Sequence, residues 1–230
     1  MTFKTLFAIA AIAVTPMSHA AYVTIDEAGM DAVYSQASFG SMSVDIRIGA
    51  ITTLTMPSLL NIDTDAKVNT LFSQHVGASN VVDFYYVDTV DSCGGFNTSI
   101  IGCGEVGGNN FVVESIWAAN TTVPTGGNIS YGVQLLSHEL GHNLGLGHRS
   151  GNDLMNSFIN GFMDLNASEV STILSSPLVQ TDSTGQRFIQ IDPVLVQATV
   201  TVVPEPGTFA LLSLGLLATV WVSRRAQNER

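Results

Sequence analysis

Between residues 43 and 48 apolar and polar side chains alternate (SVDIRI), a period of two that predicts a half-buried strand. After Asn61-Ile-Asp-Thr-Asp65 the period lengthens. Val68, Leu71, Phe72 and His75 recur at helical spacing, so a helix is expected there, with Asp63 and Asp65 acting as cap residues. That spacing puts His75 on the apolar face, where a histidine is more often packed than bound to a metal. Two apolar runs, 81–87 (VVDFYYV) and 111–116 (FVVESI), predict strands. The Gly- and Asn-rich stretch between Gly94 and Asn110 predicts a loop. A helix is expected over 130–143, where Val133, Leu136, Leu140 and Leu144 form one stripe and Leu135, His138 and His142 another. A helix apolar on more than one side is central to its domain. A Gly-rich turn and Asp153-Leu-Met-Asn156 follow. Asn166 and Glu169 then have the spacing of a reciprocal helix cap, and that helix is expected to stop before Pro177.

The two ends change the picture. Residues 1–20 carry a lysine, an apolar run and then Ser18-His19-Ala20, the layout of a secretory signal removed by signal peptidase near Ala20. The other end reads VPEPG, an apolar stretch over 208–222, and Arg224-Arg225. Arginines at that end would stay cytoplasmic and leave the rest of the chain outside. From Val203 onward this layout resembles the PEP-CTERM sorting tail of Gram-negative bacteria. The resemblance implies recognition by an exosortase, a transient hold on the membrane through the tail, and export across the inner membrane. The cell surface, the exopolysaccharide matrix or the medium would be the destination after tail removal. A plain C-terminal anchor is the alternative. The expected organisation is a signal over 1–20, one domain over 21–203 and a sorting or transmembrane segment over 204–230.

Residues 21–203 hold four basic and seventeen acidic side chains, a net charge near −13. Such a surface repels phosphates, so nucleic acid is excluded as an expected partner. Calcium would be compatible with it, but nothing in the sequence indicates it, and the Gly-Gly-x-Gly-x-Asp repeats of some calcium-binding secreted proteins are absent. The only two cysteines, Cys93 and Cys103, have nine residues between them. In an exported chain a disulfide is the default reading. The spacing is not C-x-x-C, and no further cysteine exists to complete a thiolate site.

The chemistry concentrates in HELGHNLGLGHRSGNDLM, residues 138–155. His138 and His142 stand four apart on one helical face and can grip one zinc ion. A third imidazole requires the chain to bend back, and Gly145 is placed to end the helix in the left-handed conformation. His148 can then reach the metal. Gly141, inside the helix, implies that something packs closely against it. Glu139 points off the ligand face. It is placed to take a proton from a zinc-activated water and to pass it to a leaving amine.

His138-Glu139-x-x-His142-x-x-Gly145-x-x-His148, with Met155 seven residues further on, resembles the metzincin metallopeptidases. The resemblance implies an α+β zincin-like fold, with a twisted mixed sheet above an active-site helix and a small C-terminal subdomain. It implies Zn2+ on the three histidines, Glu139 as general base, Met155 in a tight turn beneath the metal, and protein or peptide substrates. The family also adds extended substrate to an edge strand. By order along the chain that strand would be Phe111, Val112, Val113 and Glu114. Arg149 after the third histidine departs from the subfamilies that position usually separates. The expected function is an exported zinc endopeptidase. The alternative is a non-catalytic surface or matrix protein with a structural zinc, against which a free Glu139 argues.

Overall fold

The computed structural model describes residues 21–198. The expected signal and tail both lie outside these residues, as does the apolar stretch 208–222. Along the chain the elements are α1 (Glu27–Tyr34), β1 (Val44–Ile48), β2 (Thr52–Thr55), β3 (Asn61–Ile62), α2 (Asp65–Phe72), β4 (Val81–Val87), β5 (Thr89–Val90), β6 (Gly102–Gly104), β7 (Asn110–Glu114), α3 (Ser115–Ala118), α4 (Tyr131–Asn143), α5 (Ala167–Ser175), β8 (Gln180–Thr181) and β9 (Arg187–Gln197). No helix among the described residues is long and apolar enough to cross a membrane.

One mixed sheet organises the fold, in the order β1-β9-β4-β7-β6. β1, β2 and β4 run parallel to β9, and β7 runs parallel to β4. β6 is antiparallel to β7 and pairs with no other strand among those described. Alternation along β4 assigns its two faces. Val82, Phe84 and Tyr86 join the core that holds α1 and α4, whereas Tyr85 and Val87 join the core around Val68 and Leu71 of α2. The fold is therefore α+β, with a mixed sheet and helices on both faces.

The long central strand β9 contains Pro193, which has no N–H to give a neighbour. The pairing accommodates it. β1 ends its register at Ile191 and β2 begins at Val194, so Pro193 falls in the break between two successive neighbours. On the other side it lies opposite Phe84 of β4.

Two expectations are corrected here. Residues 111–114 are not at an edge: β7 lies between β4 and β6, and Phe111, Val112 and Val113 are fully buried. Glu114 ends that strand and accepts a hydrogen bond from the Val90 N–H at 3.0 Å. Its pKa is raised by burial. Part of the expected 94–110 loop is instead the edge strand β6, which carries Cys103. That cysteine is joined to Cys93, and closing so short a loop stabilises a fold by about 2–3 kcal/mol.

Around α2, Thr64 is the cap, its hydroxyl accepting from the Lys67 N–H. Asp65 is instead the first helical residue. Its carboxylate accepts from Ser92 Oγ at 2.7 Å and Gly95 N at 3.2 Å, so it holds the chain beside Cys93. These bonds lower its pKa. Asp63 pairs with Lys67 at 2.9 Å. His75 lies past the end of α2, half-buried. Its Nδ1 meets Asn110 Oδ1 at 3.0 Å and Asp83 Oδ2 at 3.1 Å, so it is a hydrogen-bonded polar group and not an apolar core residue.

Candidate metal centre

Ser130 caps α4 by accepting from the Val133 N–H at 3.2 Å. At the other end the Gly145 N–H donates to the His142 carbonyl at 2.8 Å, and the Leu146 N–H donates to the Gly141 carbonyl at 2.9 Å. This pair of bonds is a Schellman turn, and Gly145 adopts the φ of +94° that it requires. The reversed chain then serves the site. The Leu146 carbonyl accepts from His142 Nδ1 at 2.8 Å, so the turn that stops the helix also orients a histidine on it.

His138 is oriented in the same way, by the Leu154 carbonyl at 2.8 Å from its Nδ1. A carbonyl can only accept, so each Nδ1 carries the proton and each Nε2 of the neutral ring presents a lone pair. Burial pushes the His138 pKa down to about 3 and lowers that of His142 as well, which keeps both rings neutral near pH 7. His148 Nε2 lies 3.2 Å from the Nε2 of His138 and 3.2 Å from that of His142. Converging lone pairs repel one another unless a cation lies between them. Two nitrogens held at zinc distances around a tetrahedral ion are about 3.3 Å apart. Carbonyls holding the far side of ligand rings are also usual outer partners of metal sites. The residues present therefore fit a divalent cation with an imidazole preference. Among the described residues, these three histidines are the group able to hold one.

Glu139 is nearly buried, at 5% exposure, beside this group and outside it. Burial raises its pKa to about 8, opposed by the Gly104 N–H. Its Oε2 has no hydrogen-bond partner. The edge strand lies directly against it. A Cβ at Gly102 would come within 2.5 Å of Glu139 Oε1, and one at Gly104 within 2.8 Å of the Glu139 carbonyl. The two glycines of Gly-Cys-Gly thus allow β6 to approach the carboxyl. Nothing periodic in the sequence pointed to that strand; the signal available was a pair of glycines around a cysteine.

Met155 is fully buried beneath α4. A Cβ at Gly141 would lie 2.6 Å from its Sδ, which identifies the close neighbour expected from that glycine. Leucine conserves the volume of methionine, so Met155→Leu should cost under about 1.5 kcal/mol and leave the content of any bound metal unchanged. Denaturant midpoints and metal analysis check this. Near-total loss of bound metal would make the sulfur a ligand.

Arg149 fastens the chain behind His148. Its N–H donates to the Met155 carbonyl at 2.8 Å, and its guanidinium reaches Asp153 at 3.2 Å and Glu169 at 3.4 Å. Glu169 is also the acid of the capping box that starts α5 on Asn166. Arg149 therefore ties together His148, the turn at Met155 and the last helix.

A cleft of about 500 Å³ opens over these groups. It is lined by residues of the stretch between Cys93 and Gly104, by Asn156 to Ile159 and by Trp117. The exposed face of His148 looks into it.

Residues 202–225 match the model of the PEP-CTERM protein-sorting motif. The chain carries a PEP-CTERM sorting motif. A PEP-CTERM tail marks export and sorting to the cell envelope or surface of Gram-negative bacteria, and it implies processing by an exosortase-type enzyme. No curated protein and no solved structure matches the chain.

Proposed function

We propose that the exported domain is a zinc-dependent endopeptidase of metzincin type. The observation that carries this reading is the convergence of three imidazole Nε2 atoms, two of them on rings oriented by backbone carbonyls, beside a carboxyl that is not one of them. A structural zinc site would close with a fourth protein ligand. Among the described residues no fourth His, Cys, Asp or Glu joins the three histidines, and the site faces a cleft.

Zinc bound there supplies a Lewis acid for the carbonyl and for water. The chain's own groups do the rest. His138, His142 and His148 hold the cation, while the Leu154 and Leu146 carbonyls fix two of the rings. The Glu139 carboxylate takes a proton from the attacking water and returns it to the nitrogen of the leaving amine. A nearby cation favours the charged form of Glu139, offsetting the upward push of burial. Extended substrate adds to the free side of β6, the strand that lies against Glu139. The site test is to incubate the purified protein with a diverse peptide library and read the bonds cut. Absence of cleavage by zinc-loaded protein would leave the structural-zinc reading.

The tail gives a separate prediction. The matched motif, Val-Pro-Glu-Pro, stands directly before the apolar stretch in the sequence, where a membrane protease would meet it. Mature protein recovered from the native host should therefore end near Val203–Pro206 and lack residues 208–230. Changing Pro204-Glu205-Pro206 to three alanines should leave a longer, membrane-bound form. Intact mass decides between them: wild-type chain found full length in the membrane at steady state would make the tail an anchor only.

A further inference from the structure

Gln134 sits on α4 one turn before His138, and its side chain is fully buried. Burying an amide is unfavourable unless its groups are bonded. Here all of that bonding goes to one loop. Gln134 Oε1 accepts from the N–H groups of Asn160 at 2.7 Å and Gly161 at 2.5 Å. Its Nε2 donates to Asn160 Oδ1 at 2.9 Å. The loop is pinned again behind this point, where the Gly161 carbonyl accepts from the N–H groups of Asn128 and Ile129. Asn160 Nδ2 reaches the Gly151 carbonyl at 3.1 Å.

The pinned loop forms one wall of the cleft through Phe158 and Ile159. Phe158 is 77% exposed and has almost no packing of its own to fix it. Trp117 and Leu135 line the same cavity, and Leu135 is the neighbour of Gln134 on α4. Glu139 is the only lining residue with a formal charge when the histidines are neutral. Phe158 and Ile159 are thus the apolar part of this wall, next to Asn156 and Ser157, and the loop that carries them is held to the helix by hydrogen bonds from a residue that does not itself line the cleft.

We propose that Gln134 is a specificity-setting positioning residue. By holding Asn160 and Gly161 to α4, it fixes the Phe158–Ile159 wall at the width that selects substrates with a bulky apolar side chain next to the scissile bond. The inference rests on the peptidase reading of the site.

The test uses zinc-loaded full-length protein and pairs of peptides that differ only in Phe or Ala beside the cleaved bond. The parent should favour Phe by at least about tenfold, the scale a hydrophobic pocket provides. Gln134→Leu should lower that ratio about tenfold, through KM for the Phe peptide, with zinc content unchanged. Gln134→Glu keeps the acceptor used by both loop N–H groups and should restore most of the preference. If Gln134→Leu does not fold, Asn160→Ala decides. It removes the side-chain arm, keeps both backbone bonds to Gln134, and should reduce the ratio in part. A parent that cuts without preferring Phe overturns the proposal. So does a folded Gln134→Leu, or a folded Asn160→Ala, that retains the parent's ratio while losing activity or stability equally for both peptides. A zinc-loaded parent that cuts nothing is a different outcome, in which the peptidase reading falls and takes this role with it.

Discussion

Glu139→Ala is expected to reduce peptide hydrolysis by about 10²–10⁴-fold, the usual contribution of general acid–base catalysis, while zinc content stays near normal. The zinc expectation follows because Glu139 is not one of the converging groups. Near-normal folding follows because the substitution removes a carboxyl that burial already disfavours in its charged form. Linkage gives a second measurement, made on metal-free protein. A carboxyl whose pKa is raised from 4.5 to about 8 on folding binds its proton more tightly in the folded state. Its contribution to stability is complete below pH 4.5 and is lost as pH rises through 8. Metal-free parent should therefore lose stability across that window relative to Glu139→Ala. His138 acts in the opposite sense. Its pKa falls from 6.5 to about 3, so its contribution is lost as pH drops through that range in both proteins. Retained hydrolysis by Glu139→Ala would refute the mechanism whatever the stability profile showed.

His148→Ala should lower zinc affinity by more than about 100-fold, since loss even of an outer partner of a ligand costs 10–100-fold. Helix α4 should survive, because His148 is exposed and lies beyond the turn that ends it. Far-UV circular dichroism and metal titration separate the two effects. A chelator should abolish activity of the parent, and added zinc should restore it. If His148→Ala binds zinc as tightly as the parent, or the parent binds none, the three-histidine centre is wrong. The same change at His138 would be less informative, because that ring is buried and its loss would open a cavity in the core.

The parts of the site that are local in sequence were legible in it. Two histidines four apart and a helix-ending glycine fix the end of α4 and its turn with bonds spanning a few residues. The capping box on Asn166 and Glu169 is local in the same way. What depends on distant pairing was not legible. The edge position was assigned to residues 111–114, because sheet order is decided by which strands meet and not by the order in which they occur. β6 has no apolar alternation, since its two glycines answer to Glu139 on another element. β9 contains a proline that argues against a central strand until the break between β1 and β2 is known. α1 was hidden by Gly29, where a Cβ would come within 2.5 Å of Val133 on α4. At β6 and α1 the residue that masks the local signal is one that a neighbouring element requires; at β9 it is one that the pairing accommodates.

The bond between Cys93 and Cys103 ties the strand behind Glu139 to the far end of one cleft wall. β6 is only three residues long and, among the described residues, is paired on a single side. Thiols stay reduced in the cytoplasm and oxidise in the bacterial periplasm. Before export, therefore, this wall would be held by the short ladder and by hydrogen bonds such as those to Asp65; after export it is covalently closed. The chain thus carries its destination twice: as an address in the PEP-CTERM tail, and as a redox condition on the finished shape of its cleft.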